Sequence, residues 1–432
     1  MARTSLLDRS PFAPAFWRSP VRGTRFTALL GVVLLGGITL LFVTGLLSYA
    51  AYNPNLAAVN DKTPDKGILG FYLFDWPTDP PWLYRLTQGV HVTLGVTLIP
   101  VLLAKLWSVV PKLFTLPPAR SLTHALERLS LLLLVGGALF EFTTGVLNIQ
   151  LDYVFPGSFY PLHFYGAWVF FAAFLAHAIL RTPTALRNLR RMRDPGAGDG
   201  AGAPGAAGGT GEPDELAAPA PADPTVSRRG ALGLVGGASL LLFATTVGRG
   251  FDGPLRRTAL LAPHGGAEPG GGPGGFQINK TAAYAGISTA ETGTEAWRLV
   301  VTGRTGTVRL TRDALRAMPQ HGSALPIACV EGWSTSDQSW RGVRLRDLAA
   351  LVGYEDEDPP DVFVESLQRH GSFRHAALRA NQVADPRSLL ALEVNGADLT
   401  PDHGYPARVI VPAAPGVLNT KWVARMTFGG VR

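Results

Sequence analysis

Five stretches of this chain are too long and too apolar to be left in water: Phe26–Ala51, Leu83–Val110, Leu129–Ile149, Leu162–Leu180 and Gly230–Val247. A helix of about 20 apolar residues crosses the roughly 30 Å of bilayer hydrocarbon. Backbone polar groups left unpaired there are too costly, so each stretch is restricted to helix. After about residue 250 the composition becomes that of a water-soluble domain. Of the 432 residues, 47% are hydrophobic and 16% charged, against roughly 25% charged in ordinary soluble domains. The expected fold class is therefore two-part: an N-terminal α-helical membrane bundle of four spans plus a fifth anchoring helix, and a C-terminal α+β domain.

Residues 1–25 form a basic tail and 26–181 the four-helix domain. A linker over 182–226, mostly Gly, Ala and Pro, buries too little apolar surface to offset its ordering entropy. Residues 227–250 hold the fifth helix, 251–276 a Gly-rich tether and 277–432 the C-terminal domain. Basic residues mark the cytoplasmic ends. Arg3, Arg9, Arg18, Arg22 and Arg25 face only Asp8 in the tail, and Lys112, Arg120 and Arg128 face Glu127 in the second loop. Arg181, Arg187, Arg190, Arg191 and Arg193 follow the fourth stretch, whereas the opposite loops carry Asp61, Asp65, Asp75, Asp79 and Asp152 against Lys62 and Lys66. This predicts a multi-pass protein of the cell membrane with a cytoplasmic N-terminus and an extracytoplasmic C-terminal domain. The net charge of +7 is explained by the lipid bilayer, and no nucleic-acid partner is expected.

Ser227-Arg228-Arg229-Gly230-Ala231-Leu232 precedes the fifth stretch and resembles a twin-arginine export signal. An arginine pair before a cytoplasmic helix end is also what the charge rule alone produces. If it is a signal, the twin-arginine translocation machinery is a partner. That machinery exports folded domains, so the outer domain would carry a cofactor.

The first four stretches read as a two-helix unit used twice. Phe42-Val43-Thr44-Gly45-Leu46-Leu47-Ser48 matches Phe142-Thr143-Thr144-Gly145-Val146-Leu147-Asn148, and the second and fourth stretches carry His91 and His163 near their outer ends. Fourteen residues further on stand Lys105 and His177. That spacing is about 21 Å of helix and nearly four turns, so His163 and His177 share a face. The arrangement resembles the helices of b-type cytochromes, which implies haem b, one or two. His91 and His163 would ligate an outer haem, and His177 with His124 an inner one, although Lys105 breaks the symmetry. Intramembrane histidines also serve as hydrogen-bonding links between helices. Glu141, in the middle of the third stretch, suits a quinone, a proton path or a buried pair.

Cys329 is the single cysteine, which excludes an intrachain disulfide, a Cys-ligated iron–sulfur cluster and a Cys-rich zinc site. Short β-rich runs are expected at Trp297–Thr302, Val308–Thr311, Val362–Ser366 and Val409–Val411, and helices at Arg312–Met318 and Leu345–Val352. Around the cysteine, Ile327-Ala328-Cys329-Val330-Glu331-Gly332-Trp333-Ser334 resembles the molybdenum-ligating segment of the sulfite oxidase superfamily of molybdopterin-binding oxidoreductases. Its Cys-Val-Glu-x-Trp-Ser form is closest to the periplasmic methionine sulfoxide reductase catalytic subunits. Asp402-His403-Gly404-Tyr405-Pro406-Ala407-Arg408 and Asn419-Thr420-Lys421-Trp422 resemble that superfamily's pterin-clamping segment.

The resemblance spans Asn279–Phe428 and implies a sulfite-oxidase-like domain carrying molybdenum-molybdopterin. It implies Cys329 as molybdenum ligand and catalytic residue, with cofactor contacts from Asn279, Ser366, His403, Arg408, Asn419, Thr420 and Lys421. One soft thiolate completes the metal's sulfur set, and His403, Arg408 and Lys421 would be cations for a phosphate-bearing cofactor. Two departures weigh against sulfite as substrate and against a dimer. Glu331 and Gly332-Trp333 follow Cys329 where sulfite oxidases carry an arginine-bearing sequence, and the chain stops ten residues after Trp422, where they continue into a dimerisation domain. Arg369, His370, Arg374 and His375 form a cluster suited to an oxyanion or to solvent. The expected function is oxygen-atom transfer on a small-molecule oxide or oxyanion, with electrons exchanged with the quinone pool through haem. The alternatives are a sulfite-type dehydrogenase running oxidatively and a non-catalytic transmembrane redox sensor or scaffold.

Overall fold

The computed structural model describes residues 10–56, 63–64, 74–114, 121–150, 159–190, 222–251, 253–262, 273–355 and 357–429. Most of the linker, Asp61, Asp65 and Asp152, and the side chain of His124 lie outside the described residues. Five long helices, α1 (Thr24–Ala50), α2 (Leu83–Val109), α3 (Leu122–Asn148), α4 (Tyr160–Arg190) and α5 (Arg228–Ala244), occupy the five apolar stretches. Among the described residues, Arg25–Ala50, Leu83–Phe114, Arg128–Asn148, Tyr160–Ile179 and Arg228–Gly250 are long and apolar enough to cross a membrane.

The chain forms two compact units that do not follow chain order. The first comprises Met1–Phe42, Leu94–Thr143 and Gly166–Phe243. Phe26, Leu30, Leu34 and Ile38 of α1 pack there with Leu98, Val101 and Leu102 of α2, Ala138 of α3, and Phe170 and Phe174 of α4. Small residues permit the approach: a Cβ on Gly137 would stand 3.1 Å from Phe170. Glu141 is buried, and a side chain at Gly166 would strike its carboxylate.

The second unit comprises Val43–Thr93, Thr144–Tyr165 and Ala244–Arg432. It therefore joins one end of each of α1–α4 to the C-terminal domain. After the one-turn helices α6 (Ala282–Ala285) and α7 (Thr289–Thr292), the order is β1 (Leu299–Gly303), β2 (Gly306–Leu310), α8 (Arg312–Ala317), β3 (His321–Leu325), β4 (Gln338–Arg344) and α9 (Leu345–Ala350). There follow β5 (Val362–Ser366), β6 (His375–Leu378), α10 (Ala380–Ala384), β7 (Leu389–Val394), β8 (Ala397–Asp398), β9 (Arg408–Ile410) and β10 (Val423–Phe428). One sheet has the order β2-β1-β10-β5-β6; the other is β3-β4-β7-β8, with β9 also paired to β7. Only β1–β10 is parallel.

Alternation along β1 and β5 sends Leu299, Val301, Val362 and Val364 inward, where they meet Val343, Leu390, Leu392 and Val409 of the other sheet. The far face of that second sheet is covered as well, with Leu389, Ala391 and Ile410 packing on Phe276 and Trp340. The loop that carries Cys329 joins β3 to β4 at the edge of this sheet, whose inner strand β7 is buried on both faces.

Within the same unit the helix ends bond to the C-terminal domain. Asn53, fully buried with φ 56°, donates to the Ala377 carbonyl at 3.0 Å and to Gln382 Oε1 at 2.8 Å. Trp76 Nε1 donates to the Ala413 carbonyl at 2.7 Å, and Asn381 Nδ2 donates to the Trp76 carbonyl at 2.9 Å. Arg379 pairs with Asp75 at 2.6 Å and Arg387 with Asp79 at 2.8 Å. Two of the loop acids noted in the sequence are therefore held by arginines of the C-terminal domain.

Candidate active site

The second unit contains two sets of chemistry-bearing side chains. The first is a histidine pair. His91 on α2 and His163 on α4 have ring centroids 6.2 Å apart, with planes at 87°. Metal–imidazole bonds of about 2.0–2.1 Å on opposite sides of one ion put ring centroids about 6 Å apart, so this spacing has room for one metal. The repeat supplies both seats. Thr44 Oγ1 lies 3.1 Å from His91 Nδ1, and Thr144 Oγ1 lies 3.0 Å from His163 Nδ1. The next residue is glycine in both: a Cβ on Gly45 would stand 3.2 Å from His91 Cε1, and one on Gly145 would stand 3.3 Å from His163 Cε1. A Thr hydroxyl that accepts from Nδ1–H leaves the Nε2 lone pair for a metal and fixes the ring's rotation.

Of the inner pair, the His177 side chain alone lies among the described residues. His177 lies in the first unit and is half-buried. Lys105, at the equivalent place on α2, donates to the Thr27 carbonyl at 2.7 Å. A Cβ on Gly31 would stand 3.0 Å from the Lys105 ammonium.

The second set surrounds Cys329. Its loop is a tight turn: Gly332 N donates to the Cys329 carbonyl at 3.0 Å, and Cys329 N donates to the Trp333 carbonyl at 2.8 Å. Gly332 has φ +85°, a left-handed conformation natural to glycine. Gly416 N donates to the Ala328 carbonyl at 2.7 Å, and a Cβ on Gly416 would stand 3.1 Å from that oxygen. The thiol is 4% exposed. It bonds to the Glu331 carboxyl, and Asn279 Nδ2 reaches Cys329 Sγ at 3.4 Å and Glu331 Oε1 at 3.3 Å. Burial and the neighbouring Glu331 push the thiol well above its ordinary pKa, and burial also raises that of Glu331. A bound cation would be needed to hold Cys329 as thiolate.

Buried positive charge lies on the other side of the cysteine. Arg408 is 5% exposed, burial lowers its pKa to about 9, and its Nε has no hydrogen-bond partner. Lys421 is pushed well below its ordinary value by burial and by the neighbouring Arg408 and Lys280, and it donates to the Lys280 and Asp402 carbonyls. A Cβ on Gly404, at φ +110°, would stand 3.1 Å from Lys421 and 3.2 Å from Arg408, so this glycine lets the two cations converge. Among the described residues no carboxylate is ion-paired with either. Thr420 is buried, and its hydroxyl lacks a partner. Arg408 Nη1 and Lys421 Nζ donate to backbone carbonyls, but two cations with no carboxylate ion-paired to them among the described residues, beside an unpartnered hydroxyl, suit a buried anionic group such as a pterin phosphate.

The remaining expected residues divide. His403 is held toward its neutral form. Thr400 Oγ1 lies 2.7 Å from its Nδ1 and the Phe276 carbonyl 3.2 Å from its Nε2. Burial, then Arg408, lowers its pKa to about 4. Asn419 uses its side-chain oxygen on Val411 N at 2.9 Å, and Ser366 Oγ donates to the Lys421 carbonyl at 2.7 Å. Both therefore shape the cradle through the backbone. Arg369 is exposed and paired with Glu291 at 2.5 Å, which removes it from a cationic recruiting cluster.

Other residues enter the site without having been singled out. Gln88 on α2 donates to the Val330 carbonyl, and Arg85 Nε donates to the Gly250 carbonyl at 2.8 Å. Thr44 and Thr144 stood in the repeat, whose equivalence with the histidines was the available signal.

Residues 286–430 match the family described as oxidoreductase molybdopterin binding domain. Among curated relatives, mitochondrial sulfite oxidase of Rattus norvegicus is 32% identical over 158 residues, covering 31% of this chain and 29% of that protein. The uncharacterized oxidoreductase YuiH of Bacillus subtilis is 32% identical over 133 residues, covering 31% of this chain and 65% of that protein. NADH nitrate reductase of Volvox carteri is 36% identical over 104 residues, covering 22% of this chain and 12% of that protein. The chain thus spans less than a third of the sulfite oxidase and about two thirds of YuiH. The solved sulfane dehydrogenase SoxCD from Paracoccus pantotrophus aligns at 23% identity and a TM-score of 0.28 over 32% of this chain and 39% of that one. Residues 286–430 are an oxidoreductase molybdopterin-binding domain of the sulfite-oxidase-like superfamily.

Proposed function

We propose that this chain is a membrane-anchored molybdenum oxidoreductase with its electron-transfer partner built in. Cys329 would ligate the molybdenum, with Asn279 on its sulfur, and Arg408, Lys421 and Thr420 would hold the anionic part of the pterin. The bound cofactor supplies two-electron oxygen-atom transfer. The protein residues bury the thiolate, neutralise the cofactor's charge and exclude water. His91 and His163 would hold a haem b, with Thr44 and Thr144 orienting the imidazoles. The five apolar helices would cross the bilayer, the N-terminus would be cytoplasmic, and the quinone pool would exchange electrons with the haem. Export of the folded, cofactor-loaded domain would use the arginine pair at the start of α5.

The observation that carries this reading is that the paired histidines and Cys329 belong to one compact unit. Gln88, one helical turn before His91, bonds the cysteine loop directly. A direct bond between the helix of one seat and the loop of the other suits one-electron transfer between the sites. The substrate class is a small oxide or oxyanion. Relatives named sulfite oxidase favour the oxidative alternative, a sulfite-type dehydrogenase, and relatives named nitrate reductase the reductive direction.

Anaerobic spectroscopy on the detergent-purified full-length chain tests this. Methionine sulfoxide added to dithionite-reduced protein should bleach the haem α band in wild type and not in Cys329→Ser. Reduction of oxidised haem by sulfite would establish the opposite direction. Haem unresponsive to either, or wild-type protein lacking molybdenum, would contradict the proposal and favour a sensor or scaffold.

A further inference from the structure

Arg249 is a buried guanidinium whose donors meet no acceptor among the described residues. It follows α5, is 2% exposed, and its Nε, Nη1 and Nη2 all lack hydrogen-bond partners. Glu331 is the acid whose charge it feels, but that carboxyl is engaged by the Cys329 thiol and by Asn279. Burying an unpaired guanidinium is strongly unfavourable, so a site of this kind is complete only with an anion in it.

The position of the guanidinium narrows the anion. The backbone of Arg249 and Gly250 is held from two sides. Ser334 N donates to the Arg249 carbonyl at 3.2 Å, and Arg85 Nε donates to the Gly250 carbonyl at 2.8 Å. The guanidinium is thereby set against the glycine of the cysteine turn. A Cβ on Gly332 would stand 3.2 Å from Arg249 Nη2 and 2.9 Å from Val92 Cβ. Val92 directly follows His91 on α2. Arg249 thus lies against the loop that carries Cys329, at the glycine that also meets Val92, the residue after His91 on α2. Its planar fork matches a carboxylate with two parallel hydrogen bonds.

We propose that Arg249 binds a carboxylate brought in by the cofactor, a propionate of the haem held between His91 and His163. This rests on the haem reading above. The arginine would fix the haem's edge toward the Cys329 loop, and its charge would favour the reduced iron. An oxyanion bound on the cysteine side offers the same chemistry from another source.

The test uses the full-length protein, wild type beside Arg249→Gln and Arg249→Lys. It measures the haem midpoint potential and the rate of haem transfer to apomyoglobin, with natural haem and with haem dimethyl ester. Arg249→Gln should lower the reduction equilibrium constant about tenfold, or 59 mV for one electron, and speed release of natural haem about tenfold. Arg249→Lys should fall between it and wild type. With the dimethyl ester, which cannot accept the ion pair, wild type and Arg249→Gln should release haem at the same rate, and that comparison requires only folded protein. Unchanged potential and haem release, with weakened inhibition by sulfate, would overturn the assignment in favour of the oxyanion. A wild-type chain without a Soret band would overturn the haem reading itself and this assignment with it.

Discussion

The histidine seat and the cysteine seat lie in one compact unit but solve opposite problems. At the first, two helices present imidazoles, each steadied by a threonine hydroxyl and given room by the glycine after that threonine. At the second, β9 and the segment before β10 gather Arg408 and Lys421, with no carboxylate ion-paired to them among the described residues, beside a buried thiol whose pKa is raised. A preshaped seat suits a flat apolar cofactor whose charge is carried at its rim. A seat with excess buried cation suits a group that arrives with several negative charges. The difference implies that the two sites fail independently when mutated.

The largest separation is expected from the two ligand sets. His91→Ala or His163→Ala should remove the outer haem's Soret absorbance while molybdenum content stays within error of wild type. Cys329→Ser should do the converse, lowering turnover by more than about 100-fold with the Soret band unchanged. Loss of both cofactors in either variant would show that the seats are one cooperative site. His177→Ala, by contrast, should leave the outer haem in place.

Thr44→Ala and Thr144→Ala sharpen the comparison further. Removal of an outer hydrogen bond to a metal-bound histidine weakens metal affinity by about 10–100-fold. Haem titration into the variants should show such a loss, and it should be of similar size for both because the seats repeat. The corresponding change on the loop side, Arg408→Gln, should weaken pterin retention without moving the haem potential.

A smaller effect is expected from pH. Folding lowers the His403 pKa from its ordinary value of about 6.5 to about 4, so the folded domain favours the neutral ring. Its contribution to stability is complete above pH 6.5 and is lost as pH falls through 6.5 toward 4. Urea melts monitored by tryptophan fluorescence should lose stability across that window, and His403→Gln should flatten the loss. An acid loss of equal size in the variant would assign the effect to other groups.

How much of this was legible beforehand differs between the same two regions. The apolar stretches gave the five helices because length and composition suffice for that, although α3 starts at Leu122 and α4 runs on to Arg190, beyond their apolar parts. The repeat put His91 and His163 at one level, yet their facing geometry depends on how α2 and α4 cross, which a one-dimensional pattern does not specify. In the C-terminal domain Val362–Ser366 was read at its observed limits because its inward residues alternate. β7 was missed because Leu389, Leu390, Ala391 and Leu392 are buried on both faces and show no alternation. His403 looked like a cation by residue type, but the Phe276 carbonyl and Thr400 hydroxyl that flank it come from elsewhere in the fold or from its own turn. Arg249 was absent from the reading altogether. Its meaning lies in what fails to meet it, and only three-dimensional packing reveals that.

The central claim is that one chain carries both cofactors on separate seats. Molybdenum and iron should be measured together on detergent-purified full-length protein, wild type beside His91→Ala. About one molybdenum and at least one iron are expected per wild-type chain, with iron falling in the variant and molybdenum unchanged. Molybdenum without iron in the wild type, or iron undiminished in His91→Ala, would contradict it.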